Sequence, residues 1–126
     1  MTSLSGFLLL DNTADPLRLP APDTAIVHDL HEALSRLQET TFEAVACRAP
    51  SEKILDLAHR IRETSPGTPL VFLFDGNQAP LVAKWLQSGF ETCLCTEGLS
   101  TAALGEAFRH AVSRRREHTE RLEAGT

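Results

Sequence analysis

Phe42-Glu43-Ala44-Val45-Ala46-Cys47-Arg48 is a short, almost wholly apolar run that ends on a fixed charge. Helical patterns lie on both sides of it. A strand covered on both faces reads as a continuous apolar run rather than an alternating one. The stretch therefore has the pattern of a central parallel strand, with its core at Glu43 to Cys47.

Working outward, Leu30, Ala33, Leu34 and Leu37 recur at helical spacing in Leu30 to Gln38, with Asp29 at the N-cap position. Downstream, Ser51 can cap a helix in which Ile54, Leu55, Ala58 and Ile61 share a face, ending before Ser65-Pro66-Gly67. Gly6 to Asp11 and Ala25 to His28 read as two earlier strands. Leu70 to Phe74 and Glu91 to Cys95 read as two later ones. Gln78 to Ser88 reads as a helix entered near Pro80 and closed by Gly89, and Ser100 as the cap of a last helix reaching about Leu122. Strands alternating with helices give a parallel sheet with helices on both faces. The small doubly wound form has strand order 2-1-3-4-5 and places its sites at the carboxyl ends of strands one and three. Those ends are Asp11-Asn12-Thr13 and Arg48-Ala49-Pro50.

The first crossover departs from this pattern. Pro16, Pro20 and Pro22 fall between strands one and two, and proline disrupts regular helix. The first helix is expected to be missing or cut to a turn near Asp15 to Leu19. One sheet face would then be under-covered and open to the last helix or to another chain.

The chain has 126 residues, 42% of them hydrophobic, enough for one domain with one core. A net charge of −5 argues against a nucleic-acid footprint. No apolar run is long enough to span a bilayer, and the N-terminus lacks the pattern of a secretory signal. Three cysteines without framework spacing suit a reducing cytoplasm.

The segment order resembles the receiver domain of bacterial response regulators, from Gly6 to Arg115. Thr68 to Phe74 resembles the receiver's fourth strand. Val82 to Cys95 resembles its fourth helix and fifth strand, and His31 to Leu37 its second helix. The resemblance implies a flavodoxin-like (CheY-like) fold and locates five functional positions. The magnesium-binding acidic cluster maps to Asp11, Asn12 and Thr13. The phosphoacceptor aspartate maps to Arg48, or to Cys47 if the register slips by one. The hydroxyl residue after strand four maps to Phe74, the switch aromatic of strand five to Cys93, and the lysine that ends that strand to Thr96. A guanidinium has no nucleophilic oxygen and stays protonated. The chain thus looks like an atypical, or pseudo-, receiver with no catalytic residue and no metal or other cofactor. Arg48 would pair with Asp11 or bond Asn12, or else point into solvent. Phe74 would fill the emptied pocket or serve as an ordinary core residue.

Other chemistry is poorly supported. Cys93 and Cys95 share one side of a strand but lack further ligands or a Cys-x-x-Cys spacing. His110 has no activating neighbour that would suit a phosphorelay, and no glycine-rich phosphate loop follows strand one. Asp75-Gly76-Asn77 reads as turn chemistry. The last helix becomes polar on nearly every side over 113–126, as a solvated end or a connector to an output domain would.

These readings lead to a single receiver-like domain over 1–126, cytoplasmic and not an enzyme. It would act without phosphorylation, through a protein partner, its own output domain or a homodimer, and without nucleic acid or membrane. Trp85, Phe90, Leu104 and Phe108 are the candidate interface residues. The alternative is a small-anion or nucleotide-messenger sensor built on Asp11, Asn12, Arg48 and Thr96.

Overall fold

The computed structural model describes residues 6–13, 24–87 and 92–124, with the side chains of the last helix followed to Glu117. Five strands form one sheet: β1 (Phe7–Asp11), β2 (Thr24–Val27), β3 (Ala44–Arg48), β4 (Leu70–Phe74) and β5 (Thr92–Cys95). Their order is β2-β1-β3-β4-β5, and all four pairings are parallel. The expected topology is therefore present. The expected loss of the first helix falls at 14–23, outside the described residues.

Among the described residues four α-helices accompany the sheet: α1 (Leu30–Glu39), α2 (Ser51–Thr64), α3 (Val82–Gln87) and α4 (Thr101–Ala124). Asp29 caps α1 as expected, its carboxylate accepting from the Glu32 amide at 2.7 Å. Ser100 caps the start of α4 in the same way, accepting from the Ala103 amide at 3.1 Å. Ser51 does not cap α2. Pro50 occupies the N-cap without a side-chain bond, and the Ser51 hydroxyl instead accepts from Gln78 at 3.1 Å. The buried face of α2 is Ile54, Leu57, Ala58 and Ile61, whereas Leu55 is exposed. The helix expected from Gln78 onward begins as a 3₁₀ turn at Gly76–Leu81, with Pro80 inside it, and becomes α-helical only at Val82. Proline has no amide proton to sustain an α-helical ladder there.

Strand alternation divides the core into two layers. Leu8, Leu10, Val45, Cys47, Leu70 and Phe72 meet α1, α2 and Trp85 on one side. Leu9, Ala44, Ala46, Val71 and Leu73 meet Leu104, Phe108 and Ala111 of α4 on the other. The small side chains of Ala44 and Ala46 leave room for the bulk of Leu104 and Phe108. Phe108 stacks on Phe7 with centroids 4.2 Å apart and planes 9° from parallel. Trp85 lies edge-on against Phe72 at 4.0 Å.

That burial corrects the interface expectation for three residues. Trp85, Leu104 and Phe108 are 2%, 2% and 1% exposed, so their side chains serve the core of this chain. Phe90 lies outside the described residues. The large apolar side chains left exposed on the 3₁₀ turn and α3 are Leu81 and Leu86. No described helix is long and apolar enough to cross a membrane.

Candidate functional site: a guanidinium between two carboxylates

β1 and β3 are neighbours, and their register puts Asp11 opposite Arg48 at the carboxyl end of the sheet. The backbone binds the two strand ends there, with the Asn12 amide donating to the Arg48 carbonyl at 2.8 Å. Paired residues on parallel strands project to the same side, so both side chains meet above the strand ends. Arg48 Nη1 donates to Asp11 Oδ1 at 3.2 Å and Oδ2 at 3.3 Å, and to the Thr13 hydroxyl at 2.7 Å. The Thr13 hydroxyl in turn donates to Asp11 Oδ1 at 2.6 Å.

β4 lies on the other side of β3, and the residue after its last position completes the site. Arg48 Nε and Nη2 each donate to Asp75 Oδ1 at 3.2 Å, and Nη2 also reaches Oδ2 at 3.4 Å. Thr96, just past β5, donates its hydroxyl to the same Asp75 oxygen at 2.5 Å. One guanidinium therefore holds together the ends of β1 and β3 and the residue after β4. Thr96 extends the network to the end of β5. The planar fork of arginine suits this task, since its five donors diverge in fixed directions.

Burial differs across the cluster. The side chains of Asp11, Arg48 and Asp75 are 1%, 11% and 39% exposed. The Arg48–Asp11 pair is thus nearly dry, while the Arg48–Asp75 pair meets water. Gln78, a buried amide at the first turn of the 3₁₀ segment, bonds the backbone of Asp75. Gln78 Oε1 accepts from the Asp75 amide at 2.9 Å, and its Nε2 donates to the Ala49 carbonyl at 3.0 Å.

Of the residues expected at this pocket, Asp11, Thr13, Arg48 and Thr96 come together. Of the orientations open to Arg48, the structure takes the pairing with Asp11. Asn12 stands aside, its side-chain amide donating to the His28 carbonyl at 3.2 Å. Phe74 is not in the pocket. It alternates to the opposite layer, packs against the apolar cluster of α1 and α2, and stacks with Phe72 at 6.3 Å between centroids. Cys93 belongs to that same layer. Asp75 and Gln78 are the participants that sequence reading missed. Asp75 had a usable signal, as the first residue past a strand adjacent to the one that ends in Arg48.

Burial also governs the thiols. It pushes Cys47 up to about 12, with the Arg62 charge acting weakly in the other direction, and Cys93 up to about 11. Among the described residues no group of three or more His, Cys, Asp or Glu side chains is arranged to hold a metal ion.

No protein-family profile matches this sequence, and no curated protein matches it. Solved structures do match in shape. An adenylate cyclase from Rhodopirellula baltica superposes with a TM-score of 0.71 at 12% identity, over 97% of both chains. A response regulator receiver domain from Clostridium thermocellum gives 0.67 at 14% identity, over 90% of this chain and 98% of that one. The signal receiver domain of an HD domain-containing protein from Pseudomonas fluorescens Pf-5 gives 0.66 at 21% identity, over 96% of both. With its parallel 2-1-3-4-5 sheet and its charged cluster at the strand carboxyl ends, the chain has the receiver-domain fold of response regulators.

Proposed function

We propose that this chain is a phosphorylation-independent, receiver-like regulatory domain of bacterial signal transduction. It works in the cytoplasm as a protein-interaction and dimerisation module, within a larger regulator, and catalyses no reaction of its own. The observation that carries this reading is the position of Arg48, at the end of β3 and bonded to Asp11 and Asp75. A phosphoryl acceptor needs a nucleophilic oxygen, and a guanidinium has none. A magnesium ion would need the oxygens that Arg48 already engages, and the fixed cation would repel it.

Similarity to the receiver domain of an HD domain-containing protein supports a place beside another domain. Leu81 and Leu86, exposed on the 3₁₀ turn and α3, supply apolar surface for a partner. The charge balance at Arg48 weighs against anion sensing there, because two carboxylates already face the one guanidinium.

Incubation with acetyl phosphate and magnesium, followed by intact-mass measurement, tests the central point. The expected spectrum shows the unmodified chain. A stoichiometric, acid-labile phosphoryl adduct on Asp11 or Asp75 would refute the reading. Sedimentation of the purified chain tests dimerisation, and a monomer at high micromolar concentration would remove that part of it.

A further inference from the structure

The end of the sheet opposite Arg48 holds a second candidate site. There the segment leading into β3, the loop leading into β4 and helix α4 surround a cavity of about 570 Å³. That volume falls within the usual range for small-molecule sites. Phe42, Pro69 and Val112 give it an apolar lining. Two cations, Arg115 and Arg116, enter from α4, and among the described residues Glu43 is the one acidic side chain in the lining.

The polar groups are held in place. Ser65 and Thr68 are hydrogen-bonded to each other, and Thr68 is only 4% exposed. Arg115 Nη2 donates to the Pro66 carbonyl at 2.7 Å, which fixes that guanidinium against the loop. Among the described residues Arg116 has no ion-pair partner. Guanidinium forks match the oxygens of phosphates and carboxylates, and a hydroxyl can add a further donor. The apolar lining suits an organic body more than a bare ion.

We propose that this cavity binds a small organic anion, in which a planar or apolar body carries a phosphate or carboxylate group. Bound there, the anion ties α4 to the 65–69 loop and so fixes the last helix on the sheet. The proposal is independent of the reading of Arg48, which sits at the other end of the strands.

Titration of the whole chain with phenyl phosphate, inorganic phosphate and phenol, followed by amide NMR and thermal melting, tests it. Phenyl phosphate is expected to raise the melting temperature and to shift the resonances of Gly67, Thr68 and Val112. Inorganic phosphate should bind at least about tenfold more weakly, and phenol should leave those resonances in place. Arg116→Gln, at an exposed position, should melt like the parent without ligand yet weaken phenyl phosphate binding about tenfold, the loss expected for one charge-assisted bond. Three results would each overturn the proposal: no response to phenyl phosphate, equal affinity for inorganic phosphate, or unchanged binding in Arg116→Gln. Shifts clustered at Asn12 and Thr96 would place the anion at Arg48 and overturn it as well.

Discussion

Arg48 faces Asp11 across the β1–β3 pairing, and its Nη1 reaches both oxygens of a carboxylate that is 1% exposed. The end of β3 thus carries the counter-charge to a buried acid. The cluster is a structural clamp across the strand ends.

Arg48→Ala should destabilise the chain by about 3 kcal/mol, because Asp11 would stay buried without its compensating charge. Asp75→Ala should cost less than about 1 kcal/mol, since that pair is partly solvated. Urea denaturation followed by Trp85 emission measures both, the indole being buried against Phe72. Equal losses in the two variants would mean that Arg48 does not compensate Asp11 in particular.

Arg48→Asp inverts the site. A third carboxylate would then stand between Asp11 and Asp75, and like charges at this distance repel. The variant should melt below the parent in the absence of divalent cations and regain part of the loss in millimolar magnesium, which favours oxygen ligands. The parent should show no such rescue. Melting curves with and without magnesium chloride decide the point. A variant indifferent to magnesium would show that these strand ends cannot assemble a cation site even with three acids.

Cys47 and Cys93 supply a pH dependence. A thiol held protonated by burial has a folded pKa above its unfolded value, so the folded state retains a proton that the unfolded state releases. Stability from this source is complete below the ordinary thiol value of 9.0 and declines as pH rises towards about 11 for Cys93 and about 12 for Cys47. Alkylation should follow the same order. Cys47 should resist iodoacetamide at pH 8 until urea exposes it, and Cys93 should react slowly. Fast labelling of Cys47 in the native chain would contradict its burial.

The sequence was most legible where periodicity and burial agree. Leu70 to Phe74 reads as a strand because every position is apolar, and β4 has those same limits. Asp29 and Ser100 are recognisable caps because their side chains reach only local amides. Two placements are less legible: of the two readings open for Phe74 the structure takes the core one, and Trp85 is buried rather than exposed at an interface. Which layer a strand residue faces depends on sheet register, and which face α3 buries depends on where the 3₁₀ turn ends. Neither can be read from a short window. Asp75 reads as turn chemistry in its own window, and its bond to Arg48 is legible only through the strand order, which sets the residue after β4 beside the end of β3. The partner of Arg48 on that side is distant in sequence, and no local pattern signals it.

Gln78 offers the sharpest test of how the clamp is positioned. Its side chain is buried and bonds the Asp75 amide, the Ala49 carbonyl and the Ser51 hydroxyl, joining the start of the 3₁₀ turn to the start of α2. Gln78→Leu keeps the approximate bulk but leaves those groups without their bonds, which should cost about 2 kcal/mol. If Gln78 also positions Asp75 for Arg48, then Asp75→Ala should cost less in the Gln78→Leu background than in the parent. A double-mutant cycle measures that difference directly. Strict additivity would show that Gln78 only fills and satisfies its own buried site, and that the contact between Asp75 and Arg48 forms without its help.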